Sequence, residues 1–231
     1  MKQWKATVLI CVLMGMAFPA FASTYYVSPA GNDSADGSAS TPWKTIQHAA
    51  DNVIAGDMVI VHPGTYAGFV LGWDSPQNGT PSHPIVFLAE PGAVINHRND
   101  KTADGINLEG ASYIQIEGFT IENDGSITRA GIRSVANTNA VIRGNTVDGM
   151  GTWGIFTGFS ENVLIEKNET SHSVSQHGIY ASNSADNPIL RGNRSWGNNG
   201  SAAKPFRTGR PGPEKKCSQW TGRKMWQGGM E

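Results

Sequence analysis

The sequence predicts an all-β fold, a single-stranded right-handed parallel β-helix with an N-terminal capping helix. Three observations carry this. Gly-Ile pairs begin at Gly105, Gly131, Gly154 and Gly178, at steps of 26, 23 and 24 residues, a self-similarity of the length that marks stacked repeats. Each unit holds two short stretches rich in Ile and Val with Asn, Ser and Gly between them, the pattern of strands bounded by turn formers. The 28 Gly among 231 residues follow no collagen period, so they serve turns. Leucine-rich repeats share such a period, but leucine is scarce here.

In chain order, Lys2 and Lys5 precede the apolar run from Ala6 to Ala17, and small residues stand at Ala20 and Ala22. This is the layout of a signal peptide over residues 1–22, with cleavage expected after Ala22 and a secreted, periplasmic or extracellular destination. No membrane attachment is expected after cleavage. Cys11 and Cys217 lie outside the body of the chain, so no disulfide framework is expected and stability must come from a continuous core.

The β-helix domain is expected over residues 23–201, with a cap at 23–57 and coils at 58–201. In the cap, Thr41-Pro42-Trp43 predicts a helix start with Pro at its first position, and Trp43, Ile46, Ala50 and Val53 recur on one face. Such a helix plugs the open end of the stack. Strands are predicted at Met58 to His62, Pro84 to Ala89 and Ala93 to Asn96. Between them Gly72 to Pro84 forms a long loop, the kind that often meets ligands.

Within the repeats, stacking predicts columns. Asn145, Asn168 and Asn193 share one place in successive units and should form an amide ladder, with Phe119 in that place in the first unit. Glu117, Arg143, Glu166 and Arg191 alternate in sign and should pair between coils, at about 0.2 to 1 kcal/mol per pair. Lys167, the one Lys between residues 104 and 201, stands in a column otherwise held by Gly144 and Gly192.

From Ala202 to Glu231 there is no Val, Ile or Leu, and seven Lys and Arg face two Glu. This 202–231 segment reads as a basic tail that forms no further coil, either a flexible extension or the product of a shifted reading frame. Residues 23–201 hold nine Lys and Arg against seventeen Asp and Glu. An acidic body argues against nucleic acid as a partner, and an acidic sugar polymer would need local cations or a bridging metal. A monomer is expected.

The segment Tyr25-Tyr26-Val27-Ser28-Pro29, with Gly31-Asn32-Asp33, Thr41-Pro42-Trp43-Lys44-Thr45-Ile46, Gly56-Asp57 and His62-Pro63-Gly64-Thr65-Tyr66, resembles the N-terminal segment of bacterial right-handed β-helix proteins of the pectin-lyase-like superfamily. Family 9 pectate lyases, alginate and chondroitin lyases of similar build, and parallel β-helix repeat or DUF1565 domains share it. The resemblance covers Thr24 to about Ser201. It implies the fold, export and β-elimination on an acidic polysaccharide, in which a metal or cation neutralises the uronate carboxylate and a Lys or Arg takes the neighbouring proton. Relatives of the family 9 kind carry a tight aspartate cluster for calcium, and no Asp-Asp-x-x-Asp occurs here.

Alternation along a strand places residues next to each buried Ile on the outer surface. Asn107, Arg133, Phe156 and Tyr180 occupy one such position, and Asp104, Ala130, Trp153 and His177 precede each Gly. Arg133, Trp153, Phe156, His177 and Tyr180 therefore form an exposed strip. Aromatic rings stack on sugars and Arg binds carboxylates, which suits a polyuronate. Arg133, His177 and Tyr180 are the candidate catalytic residues, and Trp153, Phe156 and Asn107 the candidate substrate contacts. Glu122 and Asp148 fall at equivalent places in adjacent coils and are the candidate ligands for calcium, a hard cation. The alternative is a non-catalytic, extracellular glycan-binding or structural β-helix.

Overall fold

The structure is a computed structural model that describes residues 22–74, 77–182, 184–200 and 203–204. The expected signal peptide up to Phe21, both cysteines and the tail beyond residue 204 lie outside the described residues. Backbone alone is described for 203–204.

Three parallel sheets wind around one core. The first contains strands Thr24–Val27, Met58–Val61, Ile85–Ala89, Ile114–Glu117, Val141–Arg143, Leu164–Glu166 and Ile189–Arg191, stacked in that order. The second runs from Gly64–Ala67 to Arg194–Trp196, and the third from Phe69–Val70 to Ala203–Lys204. Each coil visits the three sheets in turn before climbing to the next coil, at about 4.8 Å per coil.

Alternation fills the interior. Ile106, Ile132, Ile155 and Ile179 lie in register, and all four are buried. Phe87, Ile116, Ile142 and Ile165 form the matching file of the first sheet, and Ile95, Ile121 and Val147 that of the second. Each such side chain contributes about 1.5–3 kcal/mol on burial.

Both predicted ladders form. Asn168 Oδ1 accepts from the backbone N–H of Asn145 at 2.9 Å and from its side-chain amide at 3.0 Å. Asn168 Nδ2 donates to the Ile142 carbonyl at 2.9 Å and to Asn193 Oδ1 at 3.0 Å. Asn145 Oδ1 accepts from Phe119 N–H at 2.9 Å, so the ladder starts in the second unit. Arg143 binds Glu117 at 2.9 Å and Glu166 at 2.5 Å, and Glu166 also pairs with Arg191. Lys167 takes its column's left-handed conformation, at φ 54°, like Gly144 and Gly192.

The cap differs from expectation at one end. The helix spans Ile46–Asn52 and is N-capped by Thr45, whose hydroxyl accepts from His48 N–H at 3.1 Å. The preceding backbone is committed elsewhere: Trp43 N–H donates to the Tyr26 carbonyl, and the Asp33 carboxylate accepts from the N–H groups of Lys44 and Thr45. Trp43 is thus an anchor stacked on Tyr25 at 4.4 Å and stands before the helix. Ile46, Ala49, Ala50 and Val53 are buried beneath it. Gln47 closes the first edge of the third sheet, its amide accepting from Val70 N–H at 2.8 Å and donating to Val70 O at 3.0 Å.

The coil boundary also moves. Ala203 and Lys204 pair with Ile179 and Tyr180, so the backbone continues the third sheet past residue 201. Ala203 takes the place of the repeated Ile, which is why the apolar pattern no longer signals it.

Replacing Asn168 by Ala strands the Asn145 N–H and the Ile142 carbonyl of the preceding coil. The unfolding free energy should fall by about 2–4 kcal/mol, measured by urea denaturation against wild type. A second expectation concerns acid. The Arg191 and then the Arg143 hydrogen bonds hold the Glu166 carboxyl below its ordinary range, and Ser126, with His97, holds Asp124 at about 2. Both values are depressed by folding, so the stability they contribute is complete above the ordinary carboxylate range of about 4 and is lost as pH falls through the folded values. Denaturation midpoints should decline from about pH 4 towards about 2, and Glu166→Gln should make that decline shallower.

Candidate functional site

The outer face of the third sheet gathers the predicted strip. Strands Ala130–Val135, Trp153–Gly158 and Ile179–Ala181 lie in register, so inward Ile alternates with outward side chains. Asn107, Arg133, Phe156 and Tyr180 are successive members of one file. Trp153 packs on Phe156 at 4.6 Å between ring centroids. Phe156 meets Tyr180 edge-on at 5.6 Å, and His177 meets Tyr180 at 5.3 Å. The four rings are half-buried and form one continuous aromatic surface. The Trp153 Nε1–H is buried and meets no protein acceptor.

Arg133 sits at one end of this surface in an ion pair with Glu109. The two are mostly shielded, with side-chain exposures of 15% and 27%, so Arg133 is not a free cation. A carboxylate arriving from a ligand would have to share it with Glu109 or displace Glu109.

Asn107 departs from the expected strip. It is fully buried, its amide donating to Asp104 Oδ2 at 3.0 Å and its carbonyl oxygen accepting from Glu109 N–H at 2.8 Å. The reason is the segment 98–104, which folds over this end of the sheet. Asn99 closes that segment through Thr102 and the Asp104 carbonyl. Buried Asp104 accepts from Arg129 Nε at 2.8 Å and Nη2 at 2.5 Å, and from Ala130 N–H at 3.1 Å. The Asp104 hydrogen bond raises the Arg129 pKa further above its ordinary value. The sequence signal for this network was an Asp and an Asn flanking the first Gly-Ile pair, and periodicity alone assigned them to the surface.

Glu122 and Asp148 are register partners, as expected, on the second sheet and away from the aromatic face. Asp148 Oδ1 accepts from Ser171 and lies against His172 Nδ1, each at 2.6 Å. Burial works to raise the Asp148 carboxyl, yet the Ser171 and His172 bonds outweigh it and leave it lowered. Calcium requires six to eight oxygens, and no group of three or more His, Cys, Asp or Glu suited to a metal occurs among the described residues. The pair does not fit a calcium cradle.

Fold and face together define a right-handed β-helix carrying an open aromatic surface on one sheet. The chain belongs to the family described as Pel9A-like, right handed beta helix region, which matches residues 25–204. It is 30% identical over 111 residues to the uncharacterized protein YwoF of Bacillus subtilis (strain 168), covering 42% of this chain and 22% of that protein. It is 37% identical over 79 residues to pectate lyase PEL9 of Emericella nidulans (strain FGSC A4 / ATCC 38163 / CBS 112.46 / NRRL 194 / M139), covering 34% of this chain and 19% of that protein. The chain therefore spans about a fifth of the length of these relatives. The crystal structure of pectate lyase Pel9A superposes with a TM-score of 0.51 at 16% identity, covering 78% of this chain and 49% of that one, a likeness of fold. No helix among the described residues is long and apolar enough to cross a membrane.

Asp104→Ala should leave Arg129 without its carboxylate and unseat segment 98–104. An unfolding free energy lower by about 2–4 kcal/mol is expected, read by chemical denaturation.

Proposed function

We propose that this is an exported protein that acts on polysaccharide, with the outer face of the third sheet as its carbohydrate site. The observation that carries the proposal is the contiguous surface of Trp153, Phe156, Tyr180 and His177, flanked by the Arg133–Glu109 pair. Sugar rings present apolar C–H faces and polar edges, and half-buried aromatic rings beside hydrogen-bonding groups complement both. Family membership and the pectate lyase name of a relative support an acidic polymer as the substrate.

On a uronate polymer the reaction is β-elimination. A base removes the proton beside the carboxylate, a carbon–carbon double bond forms, and the glycosidic C–O bond breaks as the leaving oxygen gains a proton. Arg133, once shared with a sugar carboxylate, stabilises the charge that develops. His177 is the candidate base and Tyr180 the candidate proton donor, because both border the aromatic surface on which the sugar would rest. Among the described residues no group of three or more His, Cys, Asp or Glu is placed to hold a metal, and in this reading Arg133 neutralises the sugar carboxylate.

A second reading is favoured by the commitment of Arg133 to Glu109: a non-catalytic glycan-binding β-helix. Incubation with pectate, alginate and chondroitin, followed by ultraviolet absorbance of the unsaturated product, separates the two. The first reading expects turnover, with Arg133→Ala and His177→Ala each lowering the rate by about 100-fold or more. The second expects no turnover and binding that persists in both variants. In either case Trp153→Ala and Phe156→Ala should weaken binding by about tenfold each, and a polysaccharide affinity untouched by both would overturn the site.

A further inference from the structure

The turns that follow the third-sheet strands place two exposed aromatic residues in one file. Trp73 donates its N–H to the Glu109 carbonyl, Gly110 to that of Val135, and Ala136 to that of Gly158. Each residue therefore sits over the one before its counterpart in the next coil, and the file runs Trp73, Gly110, Ala136, Phe159. All four are in the left-handed region, at φ 64°, 81°, 53° and 51°. Equal backbone geometry points their Cα–Cβ bonds the same way. Only glycine adopts this conformation without cost, and a bulky aromatic there is an outlier.

Trp73 is 48% exposed and Phe159 77% exposed, so both rings present a face to solvent. The conformation belongs to the turn, since Ala136 in the same file shares it, and it sets both rings on the same outer edge. Between the two rings the file holds only Gly110 and Ala136, so a shallow trough about 14 Å long, three coil steps, lies between aromatic ends. The Glu109–Arg133 pair stands beside it. At the Phe159 end the trough joins the site already described, because the Phe156 ring lies against Gly158: a Cβ built there would be 3.3 Å from it.

We infer that Trp73 and Phe159 form a second binding strip along the turn edge of the third sheet, holding a polysaccharide chain that runs along the solenoid axis. This rests on the carbohydrate reading of the aromatic face and deepens it, by requiring a polymer in place of a short sugar. A protein partner fits less well, since interfaces centre on a continuous apolar core and these rings are separated by small residues and an ion pair. Sugar rings that alternate apolar faces with hydroxyls match that spacing.

Titration calorimetry with a disaccharide and a hexasaccharide of galacturonate, and with a neutral glucan hexasaccharide, tests this. Wild type should bind one of the hexasaccharides at least about tenfold more tightly than the disaccharide. Trp73→Asn and Phe159→Asn should each abolish that gain while leaving disaccharide affinity unchanged. Asn tolerates the left-handed conformation, so melting temperatures should be equal to or above wild type, which separates lost binding from lost folding. Retention of the length gain in both variants would overturn the strip while sparing the aromatic face. A gain confined to the neutral probe, lost in the variants, would keep the strip and remove the acidic substrate. Absence of binding to all three would remove strip and site together.

Discussion

Each coil of this chain buries its apolar side chains only by lying directly over the coil before it, so vertical register is the constraint on which everything else rests. The stack in which Ile106, Ile132, Ile155 and Ile179 superpose works because the inter-coil bonds are backbone bonds of parallel sheets, indifferent to sequence. Such bonds allow a slip. A shift of one residue would turn every inward Ile outward. The Asn ladder prevents this at the corner between the first and second sheets, since each amide bonds to backbone and side chain of its neighbours. The Glu117–Arg143–Glu166–Arg191 file adds a sign alternation that a slip by one coil would convert into repulsion. Isolated exposed ion pairs are worth little, but here their position selects one register.

The same register assembles the aromatic face. Trp153 with Phe156 and His177 with Tyr180 are close neighbours on single coils, and these pairs meet each other and Arg133 because the coils superpose. The cap matters for the same reason. By holding Trp43 on Tyr25 and clamping Val70 through Gln47, it fixes the first strand of the sheet that later bears the site, and it removes an open strand edge.

What the sequence displays is periodic, and what it hides is local. The spacing of Gly-Ile pairs made the coils, the Asn ladder, the charge file and the aromatic strip legible, because each is a statement about equivalent positions. Asn107 shares that equivalence and is nonetheless buried, since segment 98–104 and the Asp104–Arg129 pair cover it. A non-repeating insertion between coils leaves no periodic trace. The cap helix starts later than Pro42 suggests for a related reason: Pro42 is an acceptable first residue, but Asp33 and Tyr26, distant in sequence, engage the backbone of Trp43 to Thr45. Glu122 and Asp148 share a register, and the competing bonds from Ser171 and His172 come from the next coil.

A β-helix hosts many chemistries on one backbone, so a reaction has to be argued from the site, and the one proposed turns on the Arg133–Glu109 pair. Both partners are largely removed from water. A sugar carboxylate that replaced Glu109 on Arg133 would leave an uncompensated, partly buried anion, a loss that can exceed what the new pair returns. A carboxylate that joined Glu109 without displacing it would place two mutually repelling anions around one guanidinium. On the proposed reading, the face would bind a uronate strongly only when other contacts supply the difference. Stacking on Trp153, Phe156 and Tyr180 is such a contact, spread over a surface that no single sugar carboxylate occupies. Binding energy drawn from rings remote from the reacting carbon, and spent on rearranging one ion pair at it, is the form in which this architecture would support catalysis.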